Sequence, residues 1–97
     1  MSYTVSIAEA AEKDLHEAFK WYEEKQISLG RRFKTSVSNV IDSIQRHPLH
    51  SSVRYKNTRV RFLHDFPYGI HYRVHEHHIL ILAVFHMSRN PERWESR

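Results

Sequence analysis

Residues 59–86 read RVRFLHDFPYGIHYRVHEHHILILAVFH, and the alternation in this run constrains the fold more than any other part of the chain. Val60 and Phe62 alternate with Arg59 and Arg61. Beyond the turn marked by Phe66-Pro67-Tyr68-Gly69, Ile70, Tyr72 and Val74 alternate with His71, Arg73 and His75. Period two is the signature of a pleated strand with one side buried and one side wet. Residues 79–85 are apolar at both parities, which predicts a strand covered on both sides and therefore central. The run predicts a three-stranded antiparallel meander with Val60, Phe62, Ile70, Tyr72 and Val74 turned inward. Arg59, Arg61 and Arg73 then form a guanidinium row on the opposite face.

The first half of the chain supplies what the meander packs against. Tyr3, Val5 and Ile7 alternate with Thr4 and Ser6, a short first strand placed beside the central one. Ser6 and Glu9 have capping-box spacing, so the strand hands over to a helix there. Ala11, Leu15, Ala18, Phe19 and Tyr22 fall on one face of that helix. After a break at residues 25–28, with Ser28 as cap, Leu29, Phe33, Val37, Val40, Ile41 and Ile44 form a second apolar stripe that ends before Pro48. Gly30 sits where the two helices can approach closely. Such a hairpin must bury its apolar side, and the sheet is the available partner. Residues 49–58 read as a loop with an extended piece at 53–55, and Asn90-Pro91 as the start of a short terminal helix. The expected fold is α+β: an N-terminal strand, an α-helical hairpin, then a three-stranded antiparallel meander, in a single domain over residues 1–97.

Charge is segregated along the chain. The net charge is +4. Up to Lys25, Glu9, Glu12, Asp14, Glu17, Glu23 and Glu24 outnumber Lys13, Lys20 and Lys25. From Arg54 onward, Arg54, Lys56, Arg59, Arg61, Arg73, Arg89, Arg93 and Arg97 outnumber Asp65, Glu76, Glu92 and Glu95. A basic half suits an anionic partner, nucleic acid or an acidic protein segment, or else is a solvated surface. There is no cysteine, which removes disulfides and thiolate chemistry. The apolar run 79–85 falls far short of the ~20 residues that span a bilayer. The first ten residues lack the basic and apolar segments of a signal peptide, so a cytoplasmic location is expected.

Candidate chemistry is sparse. With only Gly30 and Gly69 there is no phosphate-cradling loop. His75-Glu76-His77-His78 clusters at a hairpin tip, but adjacent strand residues point to opposite faces and do not share one ion. No metal and no cofactor is expected. His86 ends the third strand of the meander. It is either a neutral imidazole beside Arg73 or Arg61, usable as a general acid or base, or a strand-end histidine bonded to backbone. Arg59, Arg61 and Arg73 are the groups suited to bidentate contacts with phosphate or carboxylate.

These features in this order resemble a known family. FPYGIHYRV, ILILAVFH and the pattern Arg89-x-Pro91-x-x-Trp94-x-x-Arg97, with Ala11, Asp14-Leu15, Tyr22, Gly30-Arg31-Arg32-Phe33 and Pro48, resemble the RelE/ParE toxins of type II toxin–antitoxin systems. The likeness is greatest to the ParE-like branch called plasmid stabilisation proteins. The resemblance covers nearly the whole chain and implies an acidic antitoxin as partner, with a toxin–antitoxin hetero-oligomer. RelE-like members cut mRNA on the ribosome, whereas ParE-like members inhibit DNA gyrase. Ribonuclease members carry a catalytic arginine where this sequence has Gly69, and a tyrosine where it has Met87. Their catalytic histidine has a counterpart in His86. The resemblance therefore implies a gyrase inhibitor whose target and antitoxin contacts include Arg59, Arg61, Arg73, His86, Arg89, Arg93 and Trp94. In the alternative, ribosome-dependent endoribonuclease, His86, Arg73 and Arg61 are the catalytic candidates. A non-toxic protein-binding module is the third possibility.

Overall fold

Five strands and two helices carry the pattern into three dimensions. The computed structural model describes residues 2–88 and Trp94. In chain order the elements are β1 (Thr4–Ile7), α1 (Glu9–Lys25), α2 (Leu29–Arg46), β2 (Val53–Tyr55), β3 (Thr58–Phe62), β4 (Tyr68–His75) and β5 (His78–His86). They form one sheet of order β1-β5-β4-β3-β2 with the helical hairpin on one face. The meander is β3-β4-β5, as the alternation predicts. Two details differ from expectation. The sheet is mixed, because β1 runs parallel to β5; a parallel neighbour needs a long crossover, which the whole segment between them supplies. The middle strand is β4, because the extended piece at 53–55 pairs with β3 as a fifth strand. Lys56 and Asn57, both at positive φ, make the two-residue turn of that last hairpin. The terminal helix expected from Asn90 lies outside the described residues.

Register decides which side chains share a face, since directly paired residues project together. Ile70 and Tyr72, fully buried under the helices, pair with Arg61 and Arg59. Val60 pairs with His71 and Phe62 with Gly69. The parity of β3 is thus the reverse of the sequence expectation: its arginines lie on the helix side and its apolar residues on the far face. On β5 a bulge sets Tyr72 opposite Ile81 and His71 opposite Ala83, with Leu82 as the extra residue between them. The extra residue puts Ile79, Ile81 and Val84 all on the helix side, and Leu80, Ala83 and Phe85 on the far one. That is why residues 79–85 are apolar at both parities.

The core joins both layers. Ala11, Ala18, Tyr22, Phe33, Val37 and Ile44 from the helices pack on Phe66, Tyr68, Ile70, Tyr72, Ile79, Ile81 and Val84. Gly30 allows the hairpin to close, since a Cβ there would lie 2.6 Å from the Phe19 carbonyl oxygen. Neither expected side-chain cap forms. Ser6 belongs to β1 and its Oγ meets His78 Nε2 at 2.8 Å, while Ala8 opens α1. Ser28 is in place at the start of α2 but adopts φ 71° and makes no capping bond. Glu23 of α1 caps that helix instead, accepting from the amides of Ser28 at 3.0 Å and Gly30 at 2.9 Å. The Ser28 amide chiefly holds the Glu23 carboxyl below its ordinary pKa; desolvation opposes it, and the amides of Gly30 and Arg31 and the Arg31 guanidinium add smaller lowering effects. Asp14 of α1 accepts from the Val84 amide at 3.0 Å, on the stretch of β5 that continues past the last residue of β1. Among the described residues no helix is long and apolar enough to cross a membrane.

Candidate functional site

The expected guanidinium row is not assembled. Arg61 lies on the helix side, where its Nη2 donates to the His47 carbonyl at 2.7 Å and its Nε to Ser51 Oγ at 2.9 Å. Its Nη1 reaches Ser43 Oγ at 3.2 Å. The last carbonyls of a helix lack intrahelical donors and carry its negative end, so a guanidinium there is well placed. Arg59 Nη1 donates to the Ser51 carbonyl at 2.5 Å. Both arginines are half-buried and tie the end of α2 and the following loop to β3. Hydrogen bonds of a charged donor contribute roughly 1.5–3 kcal/mol each, enough to make these side chains parts of the framework. Tyr72 belongs to the same array, donating its hydroxyl proton to the Pro48 carbonyl at 2.7 Å.

Arg73 projects from the other face. It pairs with Leu80, and its Nε donates to Thr58 Oγ1 at 3.2 Å. Arg54 joins it there, its guanidinium 5.2 Å from the Phe62 ring centroid. Between the two cations lies an aromatic patch. His71, expected to face solvent, is fully buried because a second layer covers it. Its Nδ1 is 2.6 Å from the Tyr55 hydroxyl, and its ring meets Phe85 at 5.1 Å and Trp94 at 4.6 Å. Trp94 also approaches Tyr55, with centroids 6.3 Å apart. The far face thus carries Tyr55, Phe62, His71, Phe85 and Trp94, flanked by Arg54 and Arg73.

Gly69 sits inside this face with no room for a side chain. An added Cβ would lie 2.9 Å from Val60 Cγ1 and 3.0 Å from Phe62 Cδ1. Any larger residue must displace that packing.

His86 is remote from the far-face cations. It pairs with Tyr68 on the helix side, and its ring stands edge-on to Tyr68 at 5.2 Å. Its Nδ1 accepts from the Ser88 amide at 3.2 Å. Arg73 pairs with Leu80, so it is displaced from His86 by roughly 18 Å along β5 and projects from the opposite face. Arg61 is turned to the end of α2. The expectation of His86 beside Arg73 or Arg61 fails because parity puts Arg73 on the opposite face, while Arg61, on the same face as His86, lies two strands away on β3 and is bound to the end of α2. The histidines of the β4–β5 hairpin are used locally. His78 bridges Thr4 Oγ1 at 2.6 Å and Ser6 Oγ at 2.8 Å, and His77 meets Tyr3 edge-on at 5.9 Å. Arg89 and Arg93 lie outside the described residues.

A two-layer fold of this topology is one that known proteins share, and sequence decides the family. The profile of the ParE toxin of the type II toxin–antitoxin system parDE matches residues 5–91. The chain belongs to the ParE toxin family. Among solved structures, this ParE-family chain resembles one from the chromosomal ParDE toxin–antitoxin system of P. aeruginosa. The TM-score is 0.73 at 18% identity, over 89% of this chain and 97% of that one. It also resembles a chain of the RelBE2 toxin–antitoxin complex of Mycobacterium tuberculosis. There the TM-score is 0.60 at 24% identity, over 89% of this chain and 99% of that one. At these identities the structural likeness establishes the fold. No curated protein matches this sequence. Within the ParE-family framework, His71 and Arg54 are the far-face residues that the sequence alone does not single out. One signal was present: Val60, Ala83 and Phe85, which surround His71 in register, are all apolar, and that predicts a second buried layer.

Proposed function

We propose that this ParE-family chain is a toxin that inhibits DNA gyrase by binding it, without cleaving RNA, and that an acidic antitoxin neutralises it. The observation that carries the reading is the packing around Gly69. In the ribonuclease members that the sequence resembles, this position holds a catalytic arginine, a cation able to stabilise the charge that develops on a phosphate under attack. Removing one such group typically costs ~3 kcal/mol of barrier, about a hundredfold in rate. Here a Cβ alone would lie within 3 Å of Val60. Neither remaining candidate substitutes for it. Arg61 is bound into the end of α2, and Arg73 and His86 face opposite sides of the sheet.

What the far face does offer is suited to docking. Aromatic residues and arginine are the side chains that concentrate binding energy in protein interfaces. Arg54 and Arg73 flank the half-buried rings of Tyr55, Phe62 and Trp94, which share this face with the buried His71 and Phe85, and Arg89 and Arg93 are proposed to contribute to target binding. Partner antitoxins are named for both structural neighbours, and the same kind of partner is inferred for this chain. The net charge of +4 suits an acidic segment that folds on binding.

Induction of the chain, followed by assays of ribosome-dependent mRNA cleavage and of supercoiling by purified gyrase, tests the reading. Supercoiling is expected to fall, His86→Ala to leave that effect intact, and Arg89→Ala or Arg93→Ala to weaken it. Cleavage of mRNA that His86→Ala abolishes, with supercoiling untouched, reverses the assignment to a ribonuclease. Absence of growth defect, supercoiling effect and antitoxin complex together reduces the chain to a non-toxic binding module.

A further inference from the structure

Away from the far face, α2 presents a second basic surface. Arg31, Thr35 and Asn39 form one row along the helix, and Arg32, Ser36 and Val40 the next. With His64 and Asp65 of the β3–β4 connection as the opposite wall, they line an open groove of about 390 Å³. From residue 31 to residue 40 the helix rises about 13 Å, so the groove is an elongated trough.

The charge in it is placed against the helix's own field. Arg31, Arg32 and Lys34 fall in the first two turns of α2, and the first turn holds no acidic residue. The N-terminal end of a helix is positive, and cations there are unfavourable. Glu23, whose carboxylate interacts with Arg31, is also engaged by the Ser28 and Gly30 amides. Anionic groups lying along the trough relieve this excess.

We propose that the trough seats the acidic stretch of the antitoxin, so that neutralisation and target binding use opposite layers of the molecule. The proposal rests on the reading that an antitoxin partners this chain. The shape favours a peptide. A single phosphate needs convergent donors, whereas Arg31, Arg32 and Asn39 are exposed and spread along the helix. No Phe, Tyr or Trp lines the trough, the His64 imidazole is its lone ring among the lining residues, and Asp65 beside that ring repels a phosphate backbone. Val40 and the Thr35 methyl group provide a floor for aliphatic side chains, and Asn39 and Ser36 can bond to peptide groups.

The test uses the full chain and, as probe, the product of the open reading frame adjacent to its gene. Titration compares the wild type, Arg32→Glu/Thr35→Glu and Arg73→Glu. Both altered α2 positions are exposed, and acidic residues early in a helix are favourable, so the free double variant is expected to melt no lower than wild type. Its dissociation constant for the probe should rise at least about a hundredfold at low salt, with a weakened salt dependence. Asp65→Asn should tighten binding several-fold, and Arg73→Glu should leave it unchanged. A wild-type complex that the double variant forms equally well overturns the trough and leaves the antitoxin reading standing. No complex with the wild type overturns both. Binding of labelled single-stranded nucleic acid that the double variant loses, with probe binding retained, assigns the trough to nucleic acid and overturns the peptide.

Discussion

Gly69 and Glu23 show how much one residue decides. At Gly69 the far face closes on the backbone itself, with Val60 and Phe62 in contact distance of any Cβ. Gly69→Ala is expected to destabilise the chain by about 1–3 kcal/mol, the usual cost of overpacking, and Gly69→Arg by more. Urea denaturation measures both, and an arginine tolerated at no loss removes the steric part of the argument against catalysis. Glu23 is a cap delivered from a neighbouring helix. Its pKa is lowered in the folded chain, chiefly by the Ser28 amide. It therefore contributes stability that is fully present above the unfolded-state pKa and is lost as pH falls through the folded one. Melting temperatures of wild type and Glu23→Gln are expected to differ at neutral pH and to converge in acid; a difference that persists at low pH contradicts the assignment.

At the scale of elements, polar groups close what secondary structure leaves open. Where β1 stops, Asp14 of α1 takes over the Val84 amide; where α2 stops, Arg61 takes the His47 carbonyl and two serine hydroxyls. Arg61→Ala leaves several of these acceptors without a donor and is expected to cost about 2–4 kcal/mol, given ~1.5–3 kcal/mol for each charged hydrogen bond and partial rescue by water. Arg61→Lys should recover only part, since an ammonium lacks the guanidinium fork. If Arg61→Ala instead keeps full stability and selectively loses toxicity, Arg61 belongs to a binding surface after all. Equilibrium denaturation alongside a growth assay separates these outcomes.

The whole molecule offers two faces of different chemistry. On one side of the sheet, Arg54 and Arg73 flank the half-buried Tyr55, Phe62 and Trp94; on the other, beyond the helices, the Arg31–Arg32 trough runs along α2. The proposals predict separable defects. Arg54→Glu/Arg73→Glu should reduce inhibition of purified gyrase at least tenfold, with melting temperature changed by only a few degrees, while leaving the antitoxin complex intact. Supercoiling inhibition assayed with and without antitoxin decides it, and joint loss of both interactions by either set of substitutions contradicts a division between layers.

The sequence by itself determined the elements. Period-two alternation marked β3 and β4, a run apolar at both parities marked β5, the two apolar stripes marked α1 and α2, and Pro48 and Gly30 marked where the hairpin ends and where it closes. It also placed the chain among the toxins, because the family's motifs are local strings. Tertiary structure alone decided which face each side chain uses. Alternation fixes that successive residues oppose one another but not which parity meets the helices, so the pattern of β3 fits outward arginines equally well, and only its pairing with Tyr72 and Ile70 turns them inward. The bulge opposite His71 and Tyr72 shifts parity on β5 without any glycine or proline to announce it. His71 is buried because Tyr55 and Trp94, sixteen and twenty-three residues away in the chain, come to rest on it. Burial is a property of what lies across the sheet, and residues that meet only through the fold leave no local period to read.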